Sequence, residues 1–267
     1  EEKRYKKAVK IDMVQIKGSL LDKFTLLKKL TFDGVALNSP NDLKLDDVLK
    51  ARDESGIIIE GVVDSAHWRD LLSSPDAKVR ERGVKALETA VRDTKAYGGT
   101  SVLLVPGRVG GDTTYEQAWE RSQPEIKKVL PLAEELGVQI LLENVWNDFL
   151  TDPKETAKFI DELDSPMAGA HFDIGNAVRY SPPVEWVRVL GKRIKKLDIK
   201  DYKKVPPGGN LYKGFEADLL EGDSDWPAVM AALREIDLRG FGTAEIPGGG
   251  EDRLREIAKR MDKIFAM

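Results

Sequence analysis

The chain has 267 residues, with 42 lysines and arginines against 46 aspartates and glutamates, for a formal charge of −4. A 41% hydrophobic and 33% charged composition is that of a folded globular protein, and mild acidity gives no bulk electrostatic reason to bind nucleic acid. With no cysteine and only His67 and His171 as histidines, disulfides, thiol nucleophiles, thiolate metal sites and a three-histidine site within one chain are all excluded.

In chain order, short apolar runs alternate with longer amphipathic stretches. The first run is "AVKIDMV" (8–14), followed by the helical "LLDKFTLLKKL". "FDGVAL" (32–37) and "GIIIEGVV" (56–63) come next, then a long helical stretch with Ser74 as its cap, Pro75 in its first turn and Gly98 after its end. "TSVLLVP" (100–106) precedes a helical segment carrying Pro124 and Pro131, which predict a kink or a split. "VQILLEN" (138–144) leads to "DPKETAKFIDEL", a helix opened by Asp-Pro. "AGAHFDIGN" (168–176), "IKKLDIKD" (194–201) and "GFGTAEIP" (240–247) complete the set, with helical "DSDWPAVMAALREID" and "GGGEDRLREIAKRMDKIFA" among them. Runs this short, rich in Val, Ile and Leu, read as strands.

Eight strands alternating with helices predict a parallel sheet, and eight such units close into a (β/α)8 TIM barrel; a doubly wound open sheet is the competitor. No linker or shift in composition divides the chain, so residues 1–267 are expected to form one domain. No apolar run reaches the ~20 residues needed to span a bilayer. A soluble protein is therefore expected, cytoplasmic or exported with a leader removed.

Acidic residues recur at strand ends: Glu143, Asp173, Asp198 and Glu245. Active sites of barrels gather at the C-terminal ends of the strands. A buried carboxylate without a partner costs several kcal/mol, and four that converge repel one another unless a dication sits among them. One acidic residue at a strand end is ordinarily a cap or turn residue; four in consecutive late strands are harder to explain that way. Alternation along the seventh strand puts Asp198 and Lys200 on one face, with Leu197, Ile199 and Asp201 on the other. Lys200 then offsets surplus negative charge or polarises a substrate oxygen, and Asp201 braces the strand end.

The motifs "LLENVWN", "HFDIGNA", "LDIKDY" and "GTAEIPGG", in this order and spacing, resemble those of the xylose isomerase-like sugar isomerases and epimerases, which include the ketose 3-epimerases. The resemblance runs from "FDGVAL" to the last helix. It implies a single divalent ion held by Glu143, Asp173, Asp198 and Glu245. The departure is Asp198, where the family usually has histidine. An all-oxygen ligand set favours Mn²⁺ or Mg²⁺ over Co²⁺ or Zn²⁺. The resemblance further implies that Glu143 and Glu245 remove and return a proton beside a sugar carbonyl; Lys200, placed beside Asp198 by alternation, is the third catalytic candidate.

His67, Trp68, Asn176 and Arg179 are the candidates for contacting a carbohydrate substrate, with Trp146 and Arg108 at the rim. His171 reads as a packed, hydrogen-bonded residue. Ala36 stands where many relatives carry glutamate, so a polar contact is missing there. Glycines before the last helix could hold an anion, but Glu251 and Asp252 argue against phosphate at that point. The first reading is a metal-dependent sugar or sugar-phosphate isomerase or epimerase working through an enediolate. Alternatives are a lyase acting on 3-keto-glycosides with the same metal and base, or a non-catalytic sugar-binding barrel. A metal-dependent endonuclease for damaged DNA shares the barrel type but calls for more histidines and a basic face. No nucleic-acid or membrane partner is expected, and a homo-oligomer stays open.

Overall fold

Every apolar run becomes a strand of one closed sheet. The computed structural model describes residues 3–267; residues 1 and 2, included in the expected domain, lie outside the described residues. The strands are β1 (Tyr5–Lys10), β2 (Gly34–Ser39), β3 (Ile58–Asp64), β4 (Ser101–Leu104), β5 (Gln139–Glu143), β6 (Ala168–Asp173), β7 (Ile194–Ile199) and β8 (Gly240–Ala244). All neighbours are parallel, and β8 pairs with β1 from Tyr5↔Gly240 to Val9↔Ala244. That last pairing rules out the open doubly wound sheet and defines a single (β/α)8 TIM barrel.

The helices that return the chain are α1 (Leu20–Lys29), α2 (Leu45–Ser55), α3 (Ala77–Tyr97), α4 (Tyr115–Leu136), α5 (Pro153–Glu162), the short α6 (Ile174–Ala177), α7 (Pro183–Leu190), α8 (Trp226–Glu235) and α9 (Glu251–Phe265). Their starts are chemically marked. Ser19 with Asp22, and Thr114 with Gln117, form reciprocal capping boxes on α1 and α4. Asp152 caps α5 with Pro153 in its first turn, as the Asp-Pro pair predicts. Their apolar stripes pack against the outer face of the barrel, burying Phe24, Leu87, Ile126, Phe159 and Trp186.

Three local expectations need correction. α3 is capped by Asp76, not Ser74; the Ser74 hydroxyl instead accepts from the Asp76 amide, one turn before the helix. α4 is one continuous helix through Pro124 and Pro131, so neither proline splits it. β1 runs Tyr5–Lys10 rather than 8–14, and Ile11–Met13 forms a 3₁₀ turn. Lys10 therefore ends a strand instead of sitting inside one.

Below the mouth, the barrel interior is polar. Glu60 on β3 is ion-paired with Lys196 on β7 and accepts from the Thr243 hydroxyl at 2.8 Å. Burial pushes the Glu60 carboxyl up, but the attraction of Lys196 and His171 together with the hydrogen bonds from Lys196 and Thr243 outweighs it and holds Glu60 below its ordinary range. The charge is thus paired where water is excluded. No helix among the described residues is long and apolar enough to cross a membrane.

Candidate metal centre and active-site mouth

Strands β5 to β8 each bring one carboxylate to the C-terminal end of the barrel. Glu143 closes β5, Asp173 closes β6, Asp198 lies one residue before the end of β7, and Glu245 follows β8 directly. Asp173 and Asp198 are register partners, as are Asp198 and Thr243. Parallel register puts such side chains on one face, here the interior. One oxygen from each of the four carboxylates lies within 4.8 Å of all the others. Only Glu245 is partly exposed; Asp173 and Asp198 have no accessible surface.

Three of the four carboxylates are held by close neighbours. Asp173 Oδ1 accepts from the Asn176 amide at 2.7 Å, which also caps α6, and its Oδ2 meets the Lys200 ammonium at 2.8 Å. Glu245 Oε2 meets the same ammonium at 2.6 Å. Asp198 Oδ1 is shared by His171 Nε2 at 2.9 Å and Lys10 Nζ at 3.1 Å. Asp198 Oδ2 is buried with no hydrogen-bond partner among the described residues. A buried anionic oxygen left in this way costs several kcal/mol unless a cation meets it.

The electrostatics are those of a crowded anion site. Burial, then Glu245 and Asp198, push Glu143 well above its ordinary range. Burial raises Asp173 to about 7, with Lys200 opposing and Asp198 and Glu245 adding to the rise. Burial would raise Asp198 too, but His171 and Lys10 hold it well below the usual carboxylate range. Burial works against the charged forms of Lys10 and Lys200, yet the facing carboxylates outweigh it and keep both protonated. Four hard oxygen donors, like-charge strain and an orphaned carboxylate oxygen all fit a divalent cation.

Beside the cluster opens a cavity of about 660 Å³, lined among others by Lys10, Asn38, Asp64, His67, Trp68, Lys200, Phe215 and Glu245. His67 Nδ1 accepts from the Val105 amide at 3.2 Å, so the neutral ring carries its hydrogen on Nε2. Burial and then Lys10 hold its pKa down at about 3. Trp68, 48% exposed, stands at the rim with its ring edge-on to His67. Both therefore reach the mouth, as do Lys200 and Glu245.

The remaining candidates are placed differently. Asn176 is buried under the cluster rather than in the cavity lining: its Nδ2 donates to the Asn144 carbonyl at 2.9 Å, and its Oδ1 accepts from Lys200 at 3.4 Å. Its geometry braces the carboxylates. Arg179 is exposed and stacks over Trp146 at 4.7 Å, outside the cavity lining. Arg108 is exposed, and only its backbone is fixed, by Ser73. Trp146 donates from its indole nitrogen to the Asn176 carbonyl and packs against Tyr202, Tyr212 and Phe215. His171 is packed and hydrogen-bonded, as its position suggested. Asp201 braces the end of β7 by accepting from the Leu220 amide, the Ser224 hydroxyl and the Trp226 indole.

Three residues were missed. Lys10 reaches the cluster from β1. Asn144 clamps β6 by donating to the Asp173 carbonyl and accepting from the Asp173 amide. Phe215, on a 3₁₀ turn at Leu211–Glu216 within the long irregular piece after β7, covers Lys200 at 5.3 Å. A lysine closing an apolar run and an aromatic residue in a long strand-end loop are the signals that could have found the first and third.

The model of the xylose isomerase-like TIM barrel family matches residues 24–264, and the chain belongs to that family. Among curated relatives, an L-ribulose-5-phosphate 3-epimerase, UlaE, from Salmonella paratyphi C is 24% identical over 92% of this chain and 89% of its own. Two others, from Haemophilus influenzae and Escherichia coli, are matched over only 65% of their own length. Among solved structures, a D-tagatose 3-epimerase-like protein superposes with a TM-score of 0.82 at 21% identity, covering 98% of this chain and 97% of that one. A D-allulose 3-epimerase from Methylomonas sp., in complex with D-allulose, gives 0.77 at 17% identity with the same coverages.

Proposed function

We propose that the chain is a sugar epimerase or isomerase that depends on a divalent cation and moves a proton beside a carbonyl. The observation that carries this is the set of four carboxylates within 4.8 Å, one with an orphaned oxygen, beside a cavity that Glu245 also lines. Glu143, Asp173, Asp198 and Glu245 would hold the ion. When bound, it supplies positive charge that polarises the carbonyl and steadies the enediolate. Mn²⁺ or Mg²⁺ suits the all-oxygen set, and Co²⁺ or Zn²⁺ less so.

The chain's own groups do the rest. Glu245 at the cavity wall and Glu143 deeper in the barrel are two carboxylates able to take and return a proton, a role typically worth ~10²–10⁴-fold. Lys200, held by Asp173 and Glu245, keeps a donor aimed at the same space. Neutral His67 offers its Nε2 hydrogen to a hydroxyl, and Trp68 gives an apolar wall for a sugar face. Phe215 lines one side of the mouth and is backed by Trp146. Asn176 acts through the carboxylates it braces. Arg179 reaches a substrate only by leaving Trp146. The named relatives make ketoses, free or phosphorylated, the substrates to try first.

The test is isotope exchange. The Mn²⁺-loaded protein is incubated in D₂O with L-ribulose 5-phosphate, D-allulose and D-tagatose, and with a 3-keto-glycoside in parallel. Deuterium entering a ketose carbon beside its carbonyl, with epimer formation, supports the reading. Release of an aglycone from the 3-keto-glycoside alone converts it to a lyase. Binding of sugars with no exchange in any of them leaves a binding barrel and refutes the catalytic reading.

A further inference from the structure

We propose that Lys10 is a positioning residue that cancels one carboxylate charge, weakening the hold on the cation so that the occupied site ends electrically neutral. This rests on the reading of Glu143, Asp173, Asp198 and Glu245 as a dication site and adds a residue that no motif marks.

The geometry is specific. Lys10 closes β1, while Asp198 stands on β7, two strands away with β8 between them. The ammonium crosses the barrel interior to reach Asp198 Oδ1 at 3.1 Å. Space for the crossing comes from small neighbours. Ala36 is the register partner of Lys10 on β2, and Ala8, two residues earlier on β1, pairs with Thr243. Lys10 is 7% exposed and also lines the cavity. His171 Nε2 contacts the same Asp198 oxygen at 2.9 Å, so Oδ1 is fully engaged and Oδ2 alone is left to face an ion.

The charge balance gives the role. Four carboxylates face two ammoniums, those of Lys10 and Lys200, leaving two negative charges for one dication to cancel. Without Lys10 the occupied site would keep a full negative charge. Such a site attracts a dication more strongly, because opposite charges a few ångströms apart interact strongly away from water. It also resists the negative charge that grows on a substrate as a proton leaves. Lys10 thus trades cation affinity for tolerance of the enediolate. A lysine that merely filled space would show the opposite sign: its loss would loosen Asp198 and weaken the site.

The experiment is calorimetric titration of chelator-treated protein with Mn²⁺ alone, for wild type, Lys10→Met, Lys10→Gln, Asp198→Asn and the double variant Lys10→Met/Asp198→Asn. The expected results are ~10-fold tighter binding for either neutral Lys10 variant, ~10-fold weaker binding for Asp198→Asn, and a return to within ~threefold of wild type for the double variant, whose formal charge equals that of wild type. Lys10→Gln keeps polarity at the position and guards against misfolding of the methionine variant, and the double variant adds a second check. Unchanged or weaker Mn²⁺ binding by both neutral Lys10 variants overturns the proposal. If wild type binds no Mn²⁺, the dication reading itself fails, a different outcome from a Lys10 effect of the wrong sign. Where the wild type turns over a sugar, the neutral variants should lose at least ~10-fold in kcat despite holding the cation more tightly.

Discussion

Two cavities of about 660 Å³ lie at different places on this molecule, and they differ in what they do with charge. One is lined by Asp161, Lys192, Arg193 and Lys195, around the start of β7 at the N-terminal end of the barrel. There Asp161 and Arg193 form a paired contact with two bonds of 2.7 Å, in reach of water. The hydrogen bond from Arg193 holds the Asp161 carboxyl low. At the C-terminal end Glu143 and Asp173 are buried among like charges and pushed up, and Asp198 Oδ2 has no partner among the described residues. Volume does not distinguish the two. An unpaid electrostatic cost does, because a fold retains strain of this kind where a ligand relieves it.

The contrast can be broken most severely at Glu245. Glu245→Gln should lower turnover by ~10²–10⁴-fold while the barrel stays folded. Circular dichroism and steady-state rates on the same sample check this, and near-normal rates would remove Glu245 from the chemistry.

A smaller effect concerns His67 and acid. Its folded-state pKa is depressed to about 3 from 6.5, because burial and Lys10 disfavour its protonation. A depressed value means that His67 contributes stability above pH 6.5, which is lost as pH falls toward 3. Replacement by Gln should spare about 2 kcal/mol of the stability lost between pH 6.5 and about 5. Urea melts across that range measure it; parallel curves for both proteins would show that His67 is not held neutral.

Glu143 sharpens the comparison in the opposite direction. In metal-free protein, Glu143→Gln removes one of four repelling acids and should raise stability by about 1–2 kcal/mol, roughly 2–8 °C in Tm. With Mn²⁺ in excess the order should reverse, since only the wild type gains the full stabilisation of a bound ligand. Thermal melts with and without the ion would expose a failure to cross over.

At the other cavity, Arg193→Ala should cost only ~0–1 kcal/mol, because exposed ion pairs contribute little. Turnover should be unchanged. A large loss of activity there would mean that the two ends of the barrel are not separable as described.

Much of this was legible in the sequence for a physical reason. Strands buried on both faces read as continuous apolar runs, so an acid at the end of one stands out. Glu143, Asp173, Asp198 and Glu245 were all visible in that way. Alternation also placed Lys200 with Asp198, although β7 has ended by Lys200 and the contacts go to Asp173 and Glu245. Lys10 was hidden because its run read as 8–14, which set it inside a strand, and its partner is 188 positions away. Phe215 was hidden because its turn is positioned by packing on Trp146 and Tyr202, not by any local period. Arg179 looked like a substrate contact by chemistry alone; its stacking on Trp146 depends on how the segment after α6 returns over the mouth.

The central claim is that four carboxylates from consecutive late strands share one dication. Anomalous scattering from crystals grown with Mn²⁺ tests it most directly. The account predicts one strong peak at about 2 Å, an ordinary metal–oxygen bond length, from oxygens of Glu143, Asp173, Asp198 and Glu245. A peak elsewhere on the molecule, or one that leaves Asp198 Oδ2 without a contact, would contradict it.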